Sequence, residues 1–132
     1  MKKIGIIGAM ELEVETLKSK MNVVKTTKKA NMEFFEGTLN GVEVVIVRSG
    51  IGKVNAGICT QILADLFDVT HIINTGIAGS LDAQIDIGDI VVSTDLIHHD
   101  MNAVAFGYPV GQIPQMEAFS FHSDDALRAL AV

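Results

Sequence analysis

The chain has no tryptophan, one tyrosine, one cysteine and two prolines in 132 residues. A single thiol, Cys59, excludes an intrachain disulfide and gives no sign of an oxidising compartment. It lies in the apolar stretch Ala56-Gly57-Ile58-Cys59-Thr60, where a buried, unreactive thiol is expected. Cations are scarce as well: ten Lys and Arg stand against sixteen Asp and Glu, a net charge of −6. No basic run exceeds Lys28-Lys29, so the chain lacks the cationic surface needed to neutralise a nucleic-acid backbone. Long apolar runs are also missing. The opening run reaches only about seven residues before Glu11, Glu13 and Glu15, which reads as a strand and not a secretory signal. Nothing approaches the roughly twenty apolar residues that span a bilayer. A soluble, cytoplasmic protein with no membrane or nucleic-acid partner is the expectation.

What is present is an ordinary globular composition, 48% hydrophobic and 20% charged, which predicts one domain over residues 1–132. Ile4 to Ile7 is a β-rich run closed by Gly8. From Ala9 to Lys20 the chain then places Met10, Val14, Leu17 and Met21 at helical spacing. Met32 to Leu39 and Val42 to Val47 read as strands flanking Asn40-Gly41, the dipeptide suited to a type I′ hairpin. Lys53 to Phe67 carries Val54, Ile58, Ile62, Leu63 and Leu66 as the stripe of a core-facing helix. His71-Ile72-Ile73 is a further strand, followed by the glycine-rich Asn74-Thr75-Gly76-Ile77-Ala78-Gly79-Ser80. Ile85, Ile87, Ile90, Val91 and Val92 predict another strand around a turn at Gly88-Asp89. His98 to Phe121 reads as a long loop, and Ser123 to Val132 as a helix just begun. Alternating strands and amphipathic helices predict a three-layer α/β/α fold, its central sheet mixed because of the hairpin.

Several motifs invite chemistry. Gly5-x-x-Gly8 after the first strand is short of a dinucleotide fingerprint. Glu11 and Glu13 stand where a pyrophosphate would have to approach, so no NAD-type cofactor is expected. Glu11 and Glu15 are accounted for by the helix dipole. Glu13 follows Met10 by three positions on the same face, which leaves it open to a place at the rim of a pocket. His98, His99 and Asp100 do not make a metal site, because adjacent histidines on an extended segment point apart and no further ligand follows. Asp100 reads as structural.

Six ordered segments then carry a resemblance. They are Gly5-Ile6-Ile7-Gly8-Ala9-Met10-Glu11-Leu12-Glu13, Ser49-Gly50-Ile51-Gly52-Lys53-Val54, Ile73-Asn74-Thr75-Gly76-Ile77-Ala78-Gly79, Gly88-Asp89-Ile90-Val91-Val92-Ser93, Ala105-Phe106-Gly107-Tyr108 and Gly111-Gln112-Ile113-Pro114. In this order they resemble the bacterial 5'-methylthioadenosine/S-adenosylhomocysteine nucleosidases, of the purine nucleoside phosphorylase type. The resemblance implies hydrolysis of an N-glycosidic bond, in methionine salvage and the methyl cycle, with release of adenine and a 5'-thioribose. It needs no cofactor or metal. It makes Glu13 the water-activating carboxylate, places Met10 and Ile51 against the ribose and alkylthio group, and puts Ile77, Ala78 and Gly79 beneath the nucleoside. It also implies a homodimer in which Phe106 and Pro114 cover the ligand of the neighbouring subunit.

The same resemblance marks what is missing. The family's purine-protonating aspartate and its second, ribose-contacting glutamate come from a C-terminal portion that these residues do not include, so the 132-residue chain alone is expected to be inactive. Ile77 also stands where several members have serine. A purine nucleoside phosphorylase is the rival reading, but it would carry an arginine near Asn74 and a serine near Ile77, and Glu13 would repel phosphate. A finished, non-catalytic nucleoside-binding or dimerising module is the other alternative.

Overall fold

Residues 2–132 are described in the computed structural model of the chain. It divides into two compact units, the first ending at Gly79 and the second spanning Ser80–Val132. The first unit is built on β1 (Lys3–Gly8), α1 (Glu11–Lys20), β2 (Asn22–Lys29), β3 (Met32–Leu39), β4 (Val42–Arg48), α2 (Lys53–Phe67) and β5 (His71–Asn74). Its five strands form one sheet in the order β2-β3-β4-β1-β5. The β2, β3 and β4 pairings are antiparallel, and β1 runs parallel to both β4 and β5. The predicted mixed sheet is therefore observed.

The hairpin turns where the sequence places it. Asn40 at φ 50° and Gly41 at φ 81° adopt the two left-handed conformations of a type I′ turn. Strand alternation then sorts the core onto two faces. Val44 and Ile46 of β4 join Ile6 of β1 under Val14 and Met21, on the α1 side. Val45 and Val47 join Ile7, Met32 and Phe34 under Cys59, Leu63 and Phe67, on the α2 side. Burial on both faces is why β4 reads as an unbroken apolar run.

Three expectations change. The buried face of α2 is Cys59, Leu63 and Phe67, while Val54 is 77%, Ile58 44% and Leu66 52% exposed. The helix is apolar over more than one face, so its pattern did not single out the stripe that docks. Second, β2 was not predicted. Its sequence, Asn22-Val23-Val24-Lys25-Thr26-Thr27-Lys28-Lys29, has no apolar alternation because it is a largely exposed edge strand, where lysines discourage pairing with other chains. Third, Ile85 to Val92 forms no strand. Turns close from Asp82 to Ile85 and from Asp86 to Asp89, and Ile87 and Ile90 are exposed. A strand needs a neighbour for its backbone N–H and C=O groups, and among the described residues none pairs with this segment.

The second unit is mostly irregular chain, as predicted for His98 to Phe121. Its elements are β6 (Asp95–Leu96), a 3₁₀ turn at Val104–Phe106, β7 (Phe121–His122), antiparallel to β6, and α3 (Asp125–Ala131). The expected terminal helix is present, and the Asp124 carboxylate caps it by accepting from the Leu127 N–H at 2.8 Å. Among the described residues no helix is long and apolar enough to cross a membrane.

Candidate functional site

Three predicted segments converge because β1, β4 and β5 are parallel neighbours. Their C-terminal ends come together: the Gly8 carbonyl accepts from the Ser49 N–H at 2.9 Å, and the Ile7 carbonyl accepts from the Thr75 N–H at 2.9 Å. The crevice outside the carboxyl ends of parallel strands is where α/β sheets bind ligands. Here it is bordered by the residues after β1 (Met10 to Glu13), after β4 (Ser49 to Gly52) and after β5 (Thr75 to Gly79).

Glu13 occupies the third position of α1, whose first turn begins after the N-cap Met10. Its carboxylate folds back, so that Oε2 accepts from the Met10 N–H at 2.8 Å, a capping arrangement that satisfies one free helix donor. The other oxygen, Oε1, accepts from the Ile77 N–H at 3.1 Å, across 64 residues of sequence. The Met10 bond, then the Ile77 bond, hold the carboxyl below its ordinary value of 4.5 against the opposing effect of burial. Glu13 is therefore ionised near neutrality and fixed at both oxygens, as a base requires.

Gly76 makes this arrangement possible. A Cβ on Gly76 would lie 2.7 Å from Glu13 Cδ, closer than real contacts allow, and a tight 3.1 Å from Oε2, so the carboxylate would have to shift. Gly8 is similarly confined, with a Cβ there meeting Val14 Cγ1 at 2.7 Å and Glu13 Cβ at 3.0 Å. The two glycine motifs are thus the walls around one side chain.

Met10 and Ile51 line a common cleft of about 460 Å³, together with Ala9, Glu11, Asn31 and Arg48. Ile77 is brought to Glu13 by its backbone, while the residue as a whole is 83% exposed. Ala78 and Gly79 continue the same loop in exposed positions. Phe106 and Pro114 belong to the second unit, Phe106 83% exposed at the end of the 3₁₀ turn and Pro114 half-buried in a turn. Glu11 has cationic partners besides the helix dipole: Lys18 Nζ donates to it at 2.9 Å and Arg48 Nε stands 3.8 Å away.

Sequence reasoning missed three participants. Gly76 was noted only as part of a motif, and Arg48 and Asn31 gave no signal that they would border the cleft. Within the second unit, Gln112 is a buried amide whose Nε2 donates to the carbonyls of Met116 at 2.6 Å and of Ile113 and Ala118 at 3.3 Å, tying down the loop that bears Pro114. No periodicity marks a buried glutamine within an irregular segment. Among the described residues no group of three or more His, Cys, Asp or Glu is placed to hold a metal ion. His98 instead stands edge-on to Phe121, with centroids 5.9 Å apart.

The chain is similar to several known proteins. A 5'-methylthioadenosine/S-adenosylhomocysteine nucleosidase of Halalkalibacterium halodurans is 51% identical over 132 residues, which are all of this chain and 57% of that protein. A nucleosidase of the same description from Colwellia psychrerythraea, solved in complex with adenine, superposes with a TM-score of 0.94 at 49% identity, covering 98% of this chain and 53% of that one. Another, from Neisseria meningitidis in complex with methylthio-immucillin-A, gives a TM-score of 0.94 at 41% identity, covering 99% and 56%. The chain thus spans about half the length of the relatives it matches. Residues 3–132 match the family model of the phosphorylase superfamily, and the chain, with its mixed sheet and the loops gathered at the ends of its parallel strands, belongs to that superfamily.

Proposed function

We propose that the chain supplies the water-activating half of a nucleosidase that hydrolyses the N-glycosidic bond of 5'-methylthioadenosine and S-adenosylhomocysteine, releasing adenine and a 5'-thioribose. The observation that carries this reading is the Glu13 carboxylate, ionised and held by two backbone N–H groups at the ends of the parallel strands. Each of its oxygens keeps a further lone pair with which to orient and deprotonate water. Its negative charge also favours the cationic character that the ribose develops as the bond breaks. Protonation of the leaving adenine falls to a second acid outside these 132 residues. Met10 and Ile51 face the alkylthio group, and Ile77, Ala78 and Gly79 form the floor beneath the nucleoside.

The working form is a cytoplasmic homodimer in which Phe106 and Pro114 cover the ligand of the neighbouring subunit. The exposed apolar residues of α2, Val54, Ile58 and Leu66, support an association of this kind.

Hydrolysis is favoured over phosphorolysis because a phosphate beside Glu13 would meet like charge, and because Asn74 and Ile77 offer it neither a cation nor a hydroxyl. The test joins this chain to the part of the H. halodurans relative that it does not cover and supplies 5'-methylthioadenosine. Adenine release at the same rate with and without phosphate is expected; dependence on phosphate would make the protein a phosphorylase. In the same enzyme Gly76→Ala should displace the Glu13 carboxylate and lower kcat by about 10- to 100-fold, the scale of a misplaced reacting group. A Gly76→Ala variant with unchanged kcat would show that the base does not need this position.

A further inference from the structure

The cleft beside Met10 and Ile51 does not end at its apolar wall. A second cavity of about 190 Å³ is lined entirely by Glu11, Lys18, Lys28, Asn31, Glu33 and Arg48. Glu11, Asn31 and Arg48 line both cavities, so the two form one groove, apolar at one end and charged at the other. The charged end carries three cations against two carboxylates, a local positive excess on a chain whose net charge is −6.

The ion pairing along this groove is uneven. Lys18 Nζ grips both Glu11 oxygens, at 2.9 and 3.2 Å. Arg48 Nε stands 3.8 Å from Glu11, beyond hydrogen-bond distance, and its side chain is 57% exposed. The opposite wall is the β2–β3 turn, where Ala30 at φ 48° and Asn31 at φ 61° are both left-handed. That conformation is costly for alanine, and such strain persists where surrounding structure enforces it.

We propose that this charged end binds the α-amino-acid terminus of the 5'-thio substituent, the zwitterion that S-adenosylhomocysteine carries and 5'-methylthioadenosine lacks. Arg48 takes the carboxylate, whose planar geometry its guanidinium fork matches. The ammonium meets Glu11 through the lone pairs that Lys18 leaves on its two oxygens, and the Asn31 amide borders both. The inference rests on the placement of the alkylthio group against Met10 and Ile51 proposed above. A methyl substituent fills only the apolar end, so the two substrates differ by what Glu11 and Arg48 can hold.

The test measures kcat/KM for S-adenosylhomocysteine, 5'-methylthioadenosine and the uncharged 5'-butylthioadenosine in the joined enzyme and its Arg48→Met variant. The ratio of S-adenosylhomocysteine to 5'-methylthioadenosine is expected to fall about three- to tenfold, the scale of a half-exposed charged hydrogen bond. The ratio of the butyl to the methyl compound should not move. An unchanged first ratio overturns the proposal, as does a butyl compound that falls with S-adenosylhomocysteine, since Arg48 would then be only a wall. If the joined enzyme cleaves none of the three, the proposed function fails, and calorimetry of S-adenosylhomocysteine with the chain itself decides the subsite. Binding that Arg48→Met weakens supports it; no binding, or binding indifferent to the substitution, removes it.

Discussion

Glu13→Gln in the joined enzyme is expected to lower kcat by about 10²- to 10⁴-fold, the usual contribution of a positioned general base, while nucleoside binding persists. The substitution keeps the shape of the side chain and removes its basicity. It also disturbs the local hydrogen bonds, because Met10 and Ile77 both present N–H donors, and a glutamine has one acceptor oxygen where the carboxylate has two. Its amide nitrogen would face one of those donors. Wild-type turnover in the variant would refute the role given to Glu13.

The same contacts set a pH signature. The Glu13 carboxyl is held below its ordinary 4.5, so the acid limb of kcat/KM that reports the ionised base should lie below that value. The linked stability has the sign of a depressed carboxylate: it is fully present above the unfolded-state value and is lost as pH falls through the folded one. The difference in melting temperature between wild type and Glu13→Gln should therefore shrink as pH falls below 4.5. A difference that grows on acidification would mean that the two backbone bonds do not favour the charged form.

Phe34→Ala is expected to destabilise the chain by about 3–5 kcal/mol, the cost of a large-to-small change at a site that cannot collapse. Phe34 is fully buried among Ile7, Val47, Leu63 and Phe67, and its ring stacks on Phe67 with centroids 5.0 Å apart. It joins the β2–β3–β4 meander to α2, so its loss loosens the layer that backs the strand ends. Against a total stability of about 5–15 kcal/mol, a loss of that size removes a large share of the folded state's margin. Urea unfolding followed by circular dichroism measures it directly. A loss below about 1 kcal/mol would mean that α2 settles into the space left by the ring, against the rigidity that close packing implies.

Much of this architecture was legible from local pattern. The β1–α1 turn, the Asn40-Gly41 hairpin, the extent of α2 and the terminal helix each follow from backbone preferences or periodicity over a few residues. The motif order also pointed to Glu13 and to the loops around it as candidates. The α2 stripe was misjudged for a physical reason: Ile58 and Leu66 are as apolar as Leu63, and only the sheet's position selects which of them is covered. The strand expected at Ile85 to Val92 failed for the complementary reason, because β-propensity does not supply a pairing partner. β2 escaped notice since its charged edge hides the pattern on which strand prediction depends.

By itself, then, the sequence determined the α/β class and the helix and hairpin positions, because these depend on short-range geometry and on residue type. Only the tertiary structure decided that Glu13 would meet the N–H of Ile77, that Gly76 would have to make room for it, and that Arg48 and Asn31 would border the same groove as Met10 and Ile51. Those relations join residues far apart in the chain, and they arise from parallel strand pairing and close packing, which no local pattern encodes.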